Sequence, residues 1–512
     1  MVGRRLSPGR IAEELFCLDP DRDERAPQLC AETLLTLVQN EYVAPADSSA
    51  LRSPKRQRFA MRSLAIGENF LKGRDVGRAG DDHMTPAGYG EALALGSPIR
   101  GSAHLSLAQS TLQGLIDPDT QKGQRGAWLL RPFHESLLWY DARRAGPSAP
   151  EFSVRKVYMR GSGITLARLL LDPLEEESAI LGKSAVSAIR KSLTATSPLA
   201  DISLRLEAAL PAGESYTSTP NLEDDELAAW EKGADPRLNE LANRLCRHAN
   251  GIMSQRGASG PAKLWQLRLV LALDLAMHAL QTAWNTTSAP VEDRYLLLSF
   301  ATASRAEDAV RQRSEESYRR ARIRLSEATI RTLARRMQEL TEEGVVDWAT
   351  EFEPRSGLSD GDEQSVSSQL SALKSSAGEA DFMRLARTAV ENANYGRAED
   401  GFRVLLESVG LLAGTRYRYL TATPDLLATL VGALSAEMPM SSREFFAAIR
   451  REWGFVINQE SSAGTTLAAQ LDGAGLERNA RKAERLLSDA GLALGLSDRT
   501  TMVGERAGRN IP

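Results

Sequence analysis

Cysteine is scarce in this 512-residue chain: Cys17, Cys30 and Cys246, with no Cys-x-x-Cys pair. That excludes a disulfide framework and a zinc-knuckle spacing, and it fits a reducing cytoplasm. Histidine is nearly as rare. The five residues His83, His104, His134, His248 and His278 never stand at His-x-His or His-x-x-x-His spacing, so no local imidazole pair is set up for a metal. Lysine numbers only 10, against 53 arginines. No lysine has an Asp or Glu two residues before it, and no His-x-Lys occurs. The local carboxylate–lysine arrangement of many metal-dependent nucleases is therefore missing, and so is the phospholipase-D type of nuclease motif.

Long apolar runs are also lacking. The first residues contain no 7–15-residue apolar stretch of the signal-peptide kind. The most apolar interval, 264–284, is interrupted by Arg268, Asp274 and His278, which predicts a central helix buried on most sides and no membrane span. A net charge of −4 and a pI near 6.0 exclude a uniformly basic surface. Any face for a polyanion must be local, set against acidic runs such as Glu223-Asp224-Asp225-Glu226. Hydrophobic content of 42% and charged content of 25% are those of an ordinary globular protein. The length exceeds one hydrophobic core, so roughly two to four domains are expected.

Several short patterns invite chemistry and fail on context. Gly182-Lys183-Ser184 lacks the glycine five positions earlier that a phosphate loop needs; that position is Glu177. Gly357-Leu358-Ser359-Asp360-Gly361 matches a nucleophile elbow literally, but it lies in a Ser/Asp-rich stretch with no strand before it. Cys246-x-His248 sits on a helix and reads as packing. Two features keep an enzymatic alternative open. Asp81-Asp82-His83 is the one acid–imidazole cluster in the sequence, although a solvated turn is the default there. Arg160 followed by Gly161-x-Gly163, after a strand and before a helix, could present backbone N–H groups to an anion, with a structural turn as the simpler reading.

What the chain does have is arginine in phase. Ten arginines and no lysine fall between positions 305 and 336. GC-rich coding accounts for the overall Arg/Lys ratio but not for this phase. Arg313, Arg320, Arg324, Arg331 and Arg335 recur at steps of 7, 4, 7 and 4, which return to one helix face over about 33 Å. Ile323, Ile330, Leu333, Met337 and Leu340 are expected on another face. Near the C-terminus, Arg478, Arg481, Lys482 and Arg485 form a second basic face opposite Leu476, Ala483, Leu486 and Leu487. Tyr417 and Tyr419 alternate with Arg416 and Arg418, so a strand would put tyrosines on one side; core packing is their commoner fate.

The periodicity predicts a mainly α, multi-domain protein with minor β content. Residues 1–150 form a mixed N-terminal domain, with helices near 11–16, 31–39, 105–116 and 133–144. A strand at 153–159 and helices at 164–171, 176–193, 222–232, 236–249, 263–284 and 306–341 make a middle domain, 151–352. The serine-rich segment 353–380 reads as a linker. Residues 381–512 form a C-terminal helical domain with helices at 381–393, 397–412, 424–436, 442–452 and 475–490. Its element order resembles a winged-helix unit, with the last helix in the place of a recognition helix. Ser441 and Glu444 have the spacing of a capping box.

These features point to a cytoplasmic binding protein without a catalytic centre of its own. The expected role is a subunit of a bacterial complex that contacts a DNA or RNA backbone through the two arginine-rich faces, in a DNA-processing or anti-phage setting. No cofactor, metal or membrane is expected. The alternatives are a protein-interaction scaffold, in which the stripe docks on acidic groups, and an enzyme built around residues 81–83 or the Arg160–Gly163 turn.

Overall fold

The computed structural model describes residues 6–16, 25–40, 51, 57–59, 131–138, 140–144, 152–154, 161–209, 224–300, 308–344, 366, 368–371, 378–393, 397–435, 438–496 and 500–504. The fold is mainly α-helical with short strands. It divides into two compact units, residues 26–268 and residues 1–25 with 269–512. Of the two boundaries, the one after Arg268 falls within a long helix, Gly260–Thr286. Among the described residues no helix is long and apolar enough to cross a membrane.

In chain order the elements are α1 (Pro8–Phe16), α2 (Ala26–Gln39), β1 (Gln57–Phe59), β2 (Tyr140–Arg144), β3 (Phe152–Val154), α3 (Ser162–Leu171), α4 (Glu176–Leu193), α5 (Pro198–Ala209), α6 (Asp224–Lys232), α7 (Asn239–Ser254) and α8 (Gly260–Thr286). Then come β4 (Leu296–Leu297), α9 (Ala309–Glu342), α10 (Glu379–Asn392), α11 (Ala398–Ser408), β5 (Leu412–Ala413), β6 (Tyr419–Leu420), α12 (Pro424–Ser435), β7 (Met440–Ser441), α13 (Ser442–Trp453), β8 (Phe455–Val456), α14 (Leu467–Gln470), α15 (Gly473–Asp489), β9 (Ala493–Gly495) and β10 (Thr501–Val503).

In the unit 26–268, α3 packs on α2 and α4, and α4 packs on α7. Gly182 explains the close approach of α4. A Cβ there would stand 2.3 Å from the Leu170 carbonyl oxygen and 3.1 Å from Cys246 Sγ. The glycine of Gly182-Lys183-Ser184 is thus a packing residue in mid-helix. Cys246 Sγ points at the Leu169 carbonyl at 3.6 Å, and burial pushes its thiol pKa up to about 12. It is a small apolar filler at neutral pH. Residues 133–144, predicted as a helix, instead form a single 3-10 turn (Glu135–Leu137), started by His134 Nδ1 accepting from Ser136 N, followed by β2. β2 is the middle strand of its sheet, parallel to β1 and antiparallel to β3, and ladder bonds to distant segments override the local helical pattern.

In the other unit, the α8 residues from Leu269 on carry most of the apolar run. Leu271 and Leu273 are fully buried, as the sequence predicts. Its one buried acid is satisfied: Trp453 Nε1 donates to Asp274 Oδ1 at 2.7 Å. α9 is a 34-residue helix, about 51 Å long at 1.5 Å per residue. Its Ile330, Leu333 and Met337 join Leu6, Ile11, Phe382 and Leu385 in one core, with Leu340 packed at its margin. Ile323 departs from the expected apolar face and is 49% exposed. Val366 and Leu370, from the serine-rich stretch, are buried in that same core. Gly344, with φ of +79°, closes the C-terminal end of α9. The Tyr/Arg alternation at 416–419 runs into β6, which pairs with β5.

The C-terminal residues 424–504 run helix, strand, helix, helix, strand, strand: α12, β7, α13, α15, β9, β10, with β8 and the one-turn α14 inserted before α15. The sheet order is β7-β10-β9, all antiparallel, so the last strand lies in the middle. The predicted capping box starts α13: Glu444 N donates to Ser441 Oγ at 3.2 Å and Ser441 N donates to Glu444 Oε2 at 2.9 Å.

Candidate nucleic-acid interface

Four sets of sequence-predicted residues can be located, and the structure treats them differently. The first is the Gly161-x-Gly163 turn. Gly161 adopts φ of +93°, which an L side chain rarely takes, and opens α3. Its N–H groups do bind an anion, but the anion is the protein's own. Gly161 N donates to Glu32 Oε1 at 3.1 Å and Gly163 N to Glu32 Oε2 at 2.7 Å, and Glu32 is 2% exposed. A Cβ at Gly163 would stand 2.6 Å from Glu32 Cβ, so glycine is what admits the carboxylate. The turn is a lock between α2 and α3, with a buried acid where a phosphate would sit. Arg160, Asp81, Asp82 and His83 lie outside the described residues, as does the literal Gly-x-Ser-x-Gly match at 357–361.

The second set is the stripe on α9. Its arginines are largely answered by acids of the same unit. Arg313 Nη1 stands 2.5 Å from Glu316 Oε2, Arg324 Nη1 3.0 Å from Glu327 Oε2, and Arg335 Nε 3.7 Å from Glu339 Oε1. Arg320 is tied most heavily. It pairs with Asp293 at 3.2 Å, hydrogen-bonds the Tyr295 hydroxyl, and lies over the Tyr295 ring at 4.8 Å from its centroid. Thr466 Oγ1 donates to the same Asp293 at 3.0 Å, so the Asp293–Tyr295 segment, α9 and the start of α14 share one polar knot. Beside it is a cleft of about 140 Å³ lined by Trp284, Tyr295, Ile323 and these charged groups. Of the five stripe residues only Arg331 is exposed with no ion-pair partner among the described residues.

The third set is the Tyr/Arg alternation. Arg311 caps the Tyr419 ring at 4.3 Å, and Arg418 pairs with Glu407 at 3.0 Å. Tyr417 is 47% exposed with Arg416 over its ring at 5.4 Å.

The fourth set is α15. Its inner face is Leu476, Asn479, Ala480, Ala483 and Leu487, all buried. Asn479 fixes the rotation of the helix. Its Nδ2 donates to the carbonyls of Leu298 and Ile457 at 2.8 and 2.9 Å, and its Oδ1 accepts from Phe300 N at 2.8 Å. Residues 478, 481 and 485 point the other way, exposed, with Lys482 half-buried at the margin. Among the described residues none of these four cations has an ion-pair partner. Glu484, three residues after Arg481, is engaged elsewhere as acceptor of Ser442 Oγ at 2.5 Å. The helix start is closed by its own acid, since Ala474 N donates to Asp472 Oδ1 at 3.1 Å. Sequence reasoning missed both Asn479 and Glu32. Asn479 is a lone polar residue within an apolar helix face, and that placement was its only signal; Glu32 lies among the buried polar residues Gln28, Thr33 and Thr36 of α2, which gave it none.

No family model, no curated protein and no solved structure matches this chain.

Proposed function

We propose that this chain is a binding protein that contacts nucleic acid through α15, the third helix of a winged-helix-type unit spanning residues 424–504. The observation that carries the reading is the face of Arg478, Arg481, Lys482 and Arg485, which has no ion-pair partner among the described residues, on a helix whose opposite face is locked by Asn479. The order α12, β7, α13, α15, β9, β10 and the central place of β10 support the winged-helix assignment. In such a unit the third helix is the one presented to a nucleic acid, and cations there neutralise phosphates in a salt-dependent way. On this reading the α9 stripe has a different task, holding its own unit together. The test is electrophoretic mobility shift or anisotropy with mixed-sequence nucleic acid at low and high salt. Binding that weakens with salt supports the reading, and no binding at low salt rejects it.

A protein-interaction role is the second reading. Leu174, just before α4, and Ile180 within it are 57% and 64% exposed, and Ile202 and Leu204 on α5 are 41% and 49% exposed. Such apolar side chains in neighbouring sequence suit a protein partner. Association that is insensitive to salt and lost on Ile180→Glu would favour it.

A further inference from the structure

We infer that the cationic face of α15 takes B-form duplex DNA, docked by the helix itself in the major groove. The inference rests on the nucleic-acid reading above and goes further by choosing among nucleic acids. Three observations carry it. First, the cations stand on the outer face of one continuous 17-residue helix, and from Arg478 to Arg485 they span only about 10 Å along its axis. A helix with side chains is about 10–12 Å across, and the B-DNA major groove is about 12 Å wide. The deep, narrow major groove of an A-form RNA duplex does not admit such a rod.

Second, α15 contains no aromatic residue from Gly473 to Asp489. Single-stranded nucleic acids are held by bases stacking on aromatic side chains between cations. This face offers charge and bidentate donors without any stacking surface. Third, the start of the helix is already occupied by Asp472, so a phosphate has no backbone site there. The contacts must come from the side chains of Arg478, Arg481, Lys482 and Arg485. Three of these are guanidinium groups, which can bind a phosphate or the O6/N7 edge of guanine through two parallel donors.

The rigid seat of α15 makes this more than a basic patch. Asn479 satisfies two carbonyls and one N–H on its inner side, and Leu476 packs against Val310, Val456 and Leu467. The outer face is therefore presented in one orientation.

The experiment uses the full chain and three labelled probes of one mixed sequence and length: duplex DNA, duplex RNA and single-stranded DNA. Anisotropy titrations are run at about 50 and about 200 mM salt. Four phosphate contacts imply about a 150-fold loss of affinity between those salt concentrations. The expected result is duplex DNA bound at least about tenfold tighter than either other probe. The variant Arg478→Gln/Arg481→Gln/Lys482→Gln/Arg485→Gln should lose that preference and most of the salt dependence, with an unchanged circular-dichroism melt because three of the side chains are exposed and Lys482 lies at the margin of the packed face. Arg481→Gln alone gives the same test in milder form. Equal binding of duplex RNA, or tighter binding of single strands, would overturn the choice of duplex DNA and leave the nucleic-acid reading standing. Binding to none of the three probes would overturn both. Duplex DNA binding unchanged in the fourfold variant would overturn the assignment to α15.

Discussion

Two arginine-bearing helices in the same unit handle their charge in opposite ways. On α9 the basic residues are followed three or four positions later by acids, as at Arg313–Glu316, Arg324–Glu327 and Arg335–Glu339, and the pairs form along the helix. On α15 the residues three and four after Arg478 are Arg481 and Lys482, and Glu484 is turned to Ser442. The longer and more conspicuous stripe is thus mostly self-neutralised, and the shorter face has no ion pair among the described residues. Phase of one charge says where a stripe lies; the acids between its members say whether anything outside the protein is needed to answer it. Exposed intrahelical pairs contribute little individually, a few tenths of a kcal/mol, so the α9 pairs matter mainly by lowering the local positive potential.

The largest effect that should sharpen the comparison comes from the hidden side of α15. Asn479→Leu leaves the Leu298 and Ile457 carbonyls and Phe300 N without partners, and should cost on the order of 3 kcal/mol of unfolding free energy, read as a lowered chemical-denaturation midpoint. An unchanged midpoint would mean the face is not held by this anchor. Next is Arg320→Gln on α9. It removes the Asp293 pair and the contact over Tyr295, and both charged groups are about one-third exposed. A loss of about 1 kcal/mol in stability is expected, with no change in nucleic-acid affinity. If affinity drops and stability holds, the two helices are not functionally distinct.

A comparable effect, about 1 kcal/mol, is expected of Ser441→Ala, which removes the cap of α13 beneath the same C-terminal unit. Its partner adds a pH signature. Hydrogen bonds from the Ser441 N–H and hydroxyl hold Glu444 below the usual carboxylate range. A depressed folded-state pKa stabilises above the unfolded value near 4.5 and loses that contribution as pH falls through the lower folded value. Thermal melts of Glu444→Gln should therefore lie below the parent at neutral pH and converge with it on acidification; a constant gap would deny the capping role. The smallest effect belongs to Arg331→Gln, exposed and without an ion-pair partner among the described residues, which should shift stability by less than about 0.5 kcal/mol.

Much of the helical architecture was legible in the sequence. α4 spans the predicted 176–193, and α12, α13 and α15 fall within two residues of expectation, because amphipathic periodicity and the Ser441–Glu444 spacing are local signals. The strands were not so legible. β2 is set by pairing with β1, some 80 residues earlier, and its own residues read as helix. In the serine-rich stretch the overall composition hid Val366 and Leu370, four residues apart, which are themselves buried beside Leu333, Phe382 and Leu385. Of the candidate site, the basic face of α15 was visible from spacing alone. Its unpaired state was not, because whether Glu484 answers Arg481 depends on Ser442, 42 positions away.

The most direct test sets the two faces side by side. One variant changes Arg313, Arg320, Arg324, Arg331 and Arg335 to Gln; the other changes Arg478, Arg481, Lys482 and Arg485. Each is measured for melting temperature and for the slope of log affinity for duplex DNA against log salt. The account predicts a lowered melting temperature with an unchanged slope for the α9 variant. For the α15 variant it predicts an unchanged melting temperature with a slope shallower by about 3 to 4. The reverse pattern, with the slope lost on α9 and kept on α15, would contradict it.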